Sequence, residues 1–305
     1  MKIAYCLPNA VLTNNQLSEI YPEWPAEKIL AKTGITSRHV TSKEETSLDL
    51  AERAAKSLFD SYCVNVEDID FLLLCTQSAE YKLPSSACLL QNRLGLLTTA
   101  GALAFDHGCS GFVYGLSLAK GLILGGMASN VLLVTSETYT KYIAPEDKST
   151  RTIFGDGAAA VLIDEGVAAK IGAFSFGTDG AGSEKLIVRD GKLFMDGPEI
   201  FNFTLDIVPK TMENVLQKNG LTRDDIDLYV FHQANKFMLD TIRKVNGLPR
   251  DKFYVNMDTT GNTVSSTIPI ALKQLDEAGR LKPGMKVMLM GFGVGLSWGA
   301  TVIGI

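Results

Sequence analysis

Three short segments combine a nucleophile, a proton carrier and a neutral hydrogen-bond donor. The first is Ala104-Phe105-Asp106-His107-Gly108-Cys109-Ser110-Gly111-Phe112. An apolar strand end runs into a turn of small residues, and a proline-free helical segment follows from about Ser110 to Leu124. Cys109 is thereby expected at or beside a helix N-terminus, where unpaired N–H groups favour a thiolate. Gly108 and Gly111 permit a sharp turn and close approach of a ligand. The second segment is Phe231-His232-Gln233-Ala234-Asn235. A histidine at a strand end followed by a helix is well placed to donate a hydrogen bond or move a proton. The third is Gly261-Asn262-Thr263, whose amide donates without carrying charge. Together His232 and Asn262 read as a neutral donor pair suited to an enolate oxygen. A fourth segment, Gly291-Phe292-Gly293-Val294-Gly295-Leu296-Ser297-Trp298-Gly299, offers alternate glycines and exposed N–H groups for an oxyanion. It lacks the spacing of a dinucleotide loop. Its partner segment is Phe154-Gly155-Asp156-Gly157-Ala158, where Asp156 reads as a turn-forming acid rather than a catalyst. The competing reading for Cys109 is a buried structural thiol, the reading given to Cys6, Cys63, Cys75 and Cys88, which lack such a turn.

The elements that must position these residues come in a repeat. Asp68-Ile69-Asp70 precedes the apolar run 71–74, and Asp225-Ile226-Asp227 precedes 228–231. Each run leads through a polar cluster to a probable helix that ends near a Gly-Leu pair, Gly95-Leu96 or Gly247-Leu248. Val131-Leu132-Leu133-Val134 and Val287-Met288-Leu289-Met290 follow, and each half closes on Gly-Ala and an apolar run. Landmarks recurring in one order at nearly constant spacing indicate two similar halves, about 1–165 and 166–305. Short apolar runs alternating with helix-length segments imply α/β units with sheets covered on both faces. If the halves pack about a pseudo-twofold axis, the loops bearing Cys109, His232 and Asn262 converge at the carboxyl ends of strands, where α/β sheets bind ligands.

Composition narrows the function classes. Of 305 residues, 46% are hydrophobic and 21% charged, which excludes extended low-complexity disorder. Basic residues number 29 against 34 acidic, a net charge of −5, which argues against a nucleic-acid binder with a basic surface. The odd count of 5 cysteines without a CxxC argues against a disulfide framework or zinc knuckle and fits a reducing cytoplasm. The 3 histidines, His39, His107 and His232, form no HExxH or HxH pair, so no metal site is expected. The N-terminal apolar run stops at Pro8, too short for a signal-peptide core. The uncharged stretch Val287 to Ile305 is long enough to span a membrane, but its glycines and β-branched residues indicate two buried strands joined by a turn.

These motifs resemble the β-ketoacyl-acyl-carrier-protein synthase III family of the thiolase superfamily. The resemblance rests on Lys32-Thr33-Gly34-Ile35-Thr36-Ser37-Arg38-His39, Gly108-Cys109-Ser110-Gly111-Phe112 and Phe154-Gly155-Asp156-Gly157-Ala158. It continues with His232-Gln233-Ala234-Asn235, Gly261-Asn262-Thr263 and Gly293-Val294-Gly295-Leu296-Ser297-Trp298-Gly299. It implies a five-layered αβαβα thiolase-like fold and a homodimer. It implies that an acyl-CoA or other acyl thioester acylates Cys109, that malonyl-ACP then loses carbon dioxide, and that His232 and Asn262 stabilise the enolate. Backbone N–H groups of Cys109 and Val294 would hold the thioester oxyanion. No metal or bound organic cofactor is implied.

Several positions depart from the family pattern. Lys28 stands where a tryptophan usually stacks on adenine, the nearest tryptophan being Trp24, and Lys32 replaces the arginine before Thr33-Gly34, losing a planar phosphate fork. Phe237 stands where an arginine often follows the HQAN motif. Leu83 matches the partner-chain residue that limits the acyl pocket, and its size admits a starter longer than acetyl. For the acidic carrier protein, Lys236, Arg243 and Lys244 fall on one face of the helix after His232 and form the expected basic docking surface. An acyltransferase acting on an oxygen or nitrogen nucleophile is the alternative, against which Asn262 counts, since simple transfer needs no enolate donor. A thiolase lacks support because no cysteine follows Cys109, and a non-catalytic partner subunit would have lost Cys109 or His232.

Overall fold

A computed structural model describes residues 1–305. The first part of the chain runs β1 (Lys2–Cys6), β2 (Ala10–Thr13), α1 (Asn14–Ile20), α2 (Ala26–Thr33), β3 (Ser37–Val40), α3 (Ser47–Tyr62) and β4 (Phe71–Cys75). It continues with α4 (Ser86–Leu94), β5 (Gly101–Phe105), α5 (Gly111–Leu124), β6 (Asn130–Glu137), α6 (Lys148–Arg151), β7 (Gly157–Asp164) and α7 (Glu165–Ala169). The rest runs β8 (Ile171–Thr178), β9 (Leu186–Arg189), β10 (Lys192–Met195), α8 (Gly197–Lys218), β11 (Leu228–Phe231), α9 (Lys236–Val245), α10 (Thr267–Glu277), β12 (Lys286–Gly293) and β13 (Ser297–Gly304).

Two main sheets form, ordered β1-β7-β6-β4-β5 and β8-β13-β12-β11. Reading each from its first strand, the order and the antiparallel-antiparallel-parallel pairing coincide. The place of β5 in the second sheet is taken by a single parallel bridge from Tyr229 to Phe253. The recurring landmarks have matching structural duties. Asp70 accepts from the Ser129 and Asn130 N–H groups (2.7 and 3.0 Å) at the start of β6, and Asp227 accepts from Lys286 N (2.8 Å) at the start of β12. Gly95 and Gly247 turn the chain out of their helices at φ 67° and 63°, a left-handed conformation that glycine adopts without strain.

Alternation along the strands sets the layers. In β6, Val131 and Leu133 face the middle of the molecule while Leu132 and Val134 face outward beneath α3 and α4. In β12, Val287 and Leu289 face the same middle layer, and Met288, Met290 and Phe292 face α8 and α9. Helices α5 and α10 fill the space between the sheets, so helices and sheets stack in five layers. Gly115 lets α5 approach β6, since a Cβ there would lie 2.6 Å from Leu133. The stretch from Val287 onward is two antiparallel strands, with Gly291 opposite Gly299, and no helix of the chain is long and apolar enough to cross a membrane.

Candidate active site

Cys109 lies in the turn between β5 and α5, one residue before the helix cap Ser110. The turn is held down by small residues on both sides. A Cβ at Gly108 would strike Val294 and lie 2.7 Å from Gln77 Oε1. A Cβ at Gly111 would strike the Cys75 sulfur. From the second sheet, Gly291 and Gly293 let β12 run directly beneath the turn: their Cβ atoms would lie 2.6 Å from Cys109 O and 3.0 Å from Cys109 Sγ. The alternating glycines thus admit the nucleophile itself. The Val294 turn is braced by Ser297, whose hydroxyl donates to Val294 O (2.8 Å) and accepts from Ser110 Oγ (2.8 Å).

His232 follows β11 directly and is 2% exposed. Its Nδ1 lies 2.7 Å from Thr267 Oγ1, and that hydroxyl donates to Val264 O (3.0 Å). The Thr267 oxygen therefore accepts from Nδ1–H, which assigns the tautomer and leaves a lone pair on Nε2. Asn262 is oriented in the same way. Its Oδ1 accepts from Val264 N (2.8 Å), so Nδ2 turns inward and lies 3.5 Å from His232 Nε2. The neutral donor pair expected from sequence is corrected on this point. Asn262 donates as it stands, whereas His232 Nε2 accepts until it has taken up a proton.

Burial governs the ionisation of both groups. Desolvation and then the nearby Glu137 carboxyl push the Cys109 thiol up to about 12, against the N–H groups of Cys109 and Val294, which favour the thiolate. Cys109 precedes the cap, and loss of water outweighs the thiolate stabilisation expected at the helix start. Burial likewise lowers His232 to about 3. The resting pair is neutral thiol and neutral imidazole.

Cys109, His232 and Asn262 line one cavity of about 120 Å³, walled by Phe154, Ile200, Met238 and Phe292. Leu186 also lines a second cavity of about 310 Å³, bordered by Gln77, Asp106, Tyr139, Tyr142 and Val294. Leu83 lines neither and is 82% exposed in the single chain. The remaining sequence candidates lie apart from the three. Lys32 sits over the Trp24 ring (4.9 Å to the centroid) together with Lys28 (5.3 Å) and Lys148 (5.8 Å). On α9, Lys236 pairs with Asp240, and Arg243 is half-buried and donates to Leu248 O (3.3 Å). Lys244 is the exposed member of the expected three-residue basic face that has no carboxylate partner. Asp156 is structural as expected: it accepts from the backbone and hydroxyls of Thr41 and Thr140. Of the cysteines assigned to the core, Cys75 is buried and Cys6 half-buried, but Cys63 and Cys88 are exposed. Cys63 ends α3 in a left-handed conformation, and Cys88 lies on the outer face of α4. No group of three or more His, Cys, Asp or Glu residues is placed to hold a metal ion.

Gln77, Glu137 and Ser265 pack behind the Cys109 turn without having been singled out from sequence; polarity at the ends of β4 and β6 signalled the first two, and nothing local marked Ser265.

The family model for 3-oxoacyl-[acyl-carrier-protein] synthase III matches residues 105–180, and the model for the C-terminal part of that synthase matches residues 216–305. A β-ketoacyl-[acyl-carrier-protein] synthase III of Lactococcus lactis subsp. cremoris is 38% identical over 98% of this chain and 97% of its own. A crystal structure of a 3-oxoacyl-(acyl-carrier-protein) synthase III superposes with a TM-score of 0.97 at 48% identity, covering 99% of this chain and 98% of that one. The corresponding synthase of Thermus thermophilus superposes with a TM-score of 0.92 at 34% identity, over 99% and 98% of the two chains. The layered sheets are thus a thiolase-like fold, and the chain belongs to the β-ketoacyl-[acyl-carrier-protein] synthase III family of condensing acyltransferases.

Proposed function

We propose that Cys109 carries the acyl group in this condensation, that His232 takes its proton, and that Asn262 holds the enolate. The observation that carries the assignment is that the three line one cavity, with Asn262 Nδ2 and His232 Nε2 side by side at 3.5 Å. Because the resting pair is neutral, sulfur attack on the starter thioester proceeds as its proton passes to Nε2. The carbonyl oxygen gathers charge beside the N–H groups of Cys109 and Val294. Collapse expels the starter's thiolate, leaving S-acyl-Cys109 and a protonated His232. Malonyl-ACP then breaks its bond to the carboxylate, releases carbon dioxide and leaves an enolate on the thioester oxygen. Asn262 Nδ2 and the protonated His232 donate to that oxygen. The carbanion attacks the acyl carbon, 3-oxoacyl-ACP departs, and the Cys109 sulfur recovers its proton from His232. Protons balance once the released thiolate is protonated by solvent. These steps draw on no metal or bound organic cofactor.

The malonyl carrier protein and an acyl-CoA starter are the partners in this reading. Lys244, and Lys32 beside Trp24, are the charged groups offered to them. The second cavity, which shares Leu186 with the first, is the space offered to a starter longer than acetyl, and Leu83 of a second copy would limit its depth in a homodimer. The repeated strand order supports halves divided near 165 and 166, and the unpaired thiols support a cytoplasmic location. Cys109→Ala should abolish formation of 3-oxoacyl-ACP while leaving the circular dichroism spectrum unchanged. Condensation by that variant would refute the assignment.

A further inference from the structure

The steps above make no use of a buried acid. Glu137, the last residue of β6, is fully buried and lies on the strand face turned toward the second sheet. Its carboxyl accepts from Gln77 N (3.2 Å to Oε1, 3.1 Å to Oε2), from Ser78 Oγ (2.9 Å) and from Ser265 Oγ (3.1 Å). Thr138 N donates to the Ser78 hydroxyl (3.0 Å), which leaves the Ser78 proton for Glu137. Gln77 and Ser78 belong to the loop after β4. Ser265 belongs to the turn that begins at Asn262. Gln77 reaches further: its Oε1 accepts from the Tyr139 hydroxyl, and its Nε2 donates to Asp106 Oδ1 (2.7 Å). The same Oε1 packs against Gly108, beside Cys109.

We infer that Glu137 is a positioning residue for the condensation: through Ser265 and Gln77 it fixes the turn bearing Asn262 against the loop bearing Cys109. The inference rests on the roles assigned to those two residues. Once ionised, a carboxyl offers two oxygens to three donors drawn from two separate loops, which a neutral amide cannot match. The titratable groups around it are Cys75 from β4, Asp106 and Cys109 from the loop after β5, and Tyr139 and Tyr142 after β6. Burial pushes Glu137 up to about 8 against its hydrogen bonds, so it is largely uncharged at neutral pH and charged at pH 9. When charged it opposes ionisation of the Cys109 thiol.

Two variants test the inference with two readouts. Glu137→Gln removes the charge at nearly constant shape, and Ser265→Ala cuts the tie to the Asn262 turn while keeping the carboxyl. The first readout is the rate of iodoacetamide alkylation of Cys109 at pH 9, followed by peptide mass. It needs no turnover, so its failure is distinct from failure of the catalytic assignment. With the neighbouring charge gone the thiol ionises more readily, which weaker nucleophilicity only partly offsets, so the rate should rise roughly threefold in Glu137→Gln. Ser265→Ala should alkylate at a rate between those of the unmodified protein and Glu137→Gln, because it removes one of the hydrogen bonds that favour the charged carboxyl. The second readout is malonyl decarboxylation, which should slow about tenfold or more in both variants. A merely structural Glu137 lowers the melting temperature without moving the alkylation rate. The inference is overturned if Glu137→Gln alkylates at the unmodified rate, or if Ser265→Ala decarboxylates at it. Should Glu137→Gln fail to fold, Ser265→Ala decides by decarboxylation alone.

Discussion

Replacing Asn262 separates the two half-reactions. Asn262→Ala removes Nδ2, the group placed 3.5 Å from His232 Nε2, and also Oδ1, which accepts from Val264 N at 2.8 Å. Loss of one oxyanion donor costs about 10²–10³ in rate. Loss of Oδ1 strands a buried N–H, which costs about 1–3 kcal/mol of stability. The alanine variant therefore mixes chemistry with folding. Asn262→Asp separates them, because an aspartate oxygen still accepts from Val264 N and the turn is kept. It replaces the donor with an acceptor facing the enolate oxygen, so decarboxylation should fall at least as far as in the alanine variant while stability falls less. Acylation of Cys109 uses the N–H groups of Cys109 and Val294 and should change by no more than a few-fold in either variant. The assay is release of labelled carbon dioxide from malonyl-ACP, run beside intact-mass measurement of the acyl-enzyme. Equal losses in both half-reactions, or full decarboxylation by Asn262→Asp, would refute the enolate role.

Three further outcomes follow from the same geometry. Alkylation of Cys109 should be slow at pH 7 and climb without a plateau to pH 10, because the thiol ionises near 12; a plateau below pH 8 would show a stabilised thiolate. His232 is held neutral with its ionisation lowered to about 3, below the unfolded value near 6.5, so its protonation favours the unfolded chain as pH falls through the unfolded value. The stability advantage of the unmodified protein over His232→Gln should accordingly shrink by about 2 kcal/mol between pH 6.5 and 5 in urea titrations. Lys244→Glu should raise KM for malonyl-ACP at low salt, with the effect fading as salt screens exposed charge over about 10 Å at 0.1 M; an unchanged low-salt KM would remove α9 from the docking surface.

The parts of the fold that were legible in the sequence were those governed by local rules. Asp70 and Asp227 recur because each caps the start of a neighbouring strand, and Gly95 and Gly247 recur because each ends a helix in a left-handed turn. Such duties require a residue type at a fixed distance from an apolar run, so they mark the repeat. The turn around Cys109 and the strand end before His232 were readable for the same reason. What long-range packing decides was not. That Gly291 and Gly293 admit Cys109 rather than a ligand depends on β12 passing under a turn from the other sheet. The Cys109 ionisation was misread because the helix dipole is visible in sequence and the loss of water is not. On α9, Arg243 folds back onto Leu248, a contact that helical spacing cannot reveal.

The most direct test is to locate the acyl group. The protein should be exposed to a panel of acyl-CoA and acyl-ACP starters, digested without base, and its five cysteine peptides weighed. The account predicts one thioester adduct, on the peptide bearing Cys109, that disappears on addition of malonyl-ACP as 3-oxoacyl-ACP forms. It predicts no adduct in Cys109→Ala. An adduct on another cysteine that is consumed in condensation, or condensation with Cys109 never acylated, would contradict it.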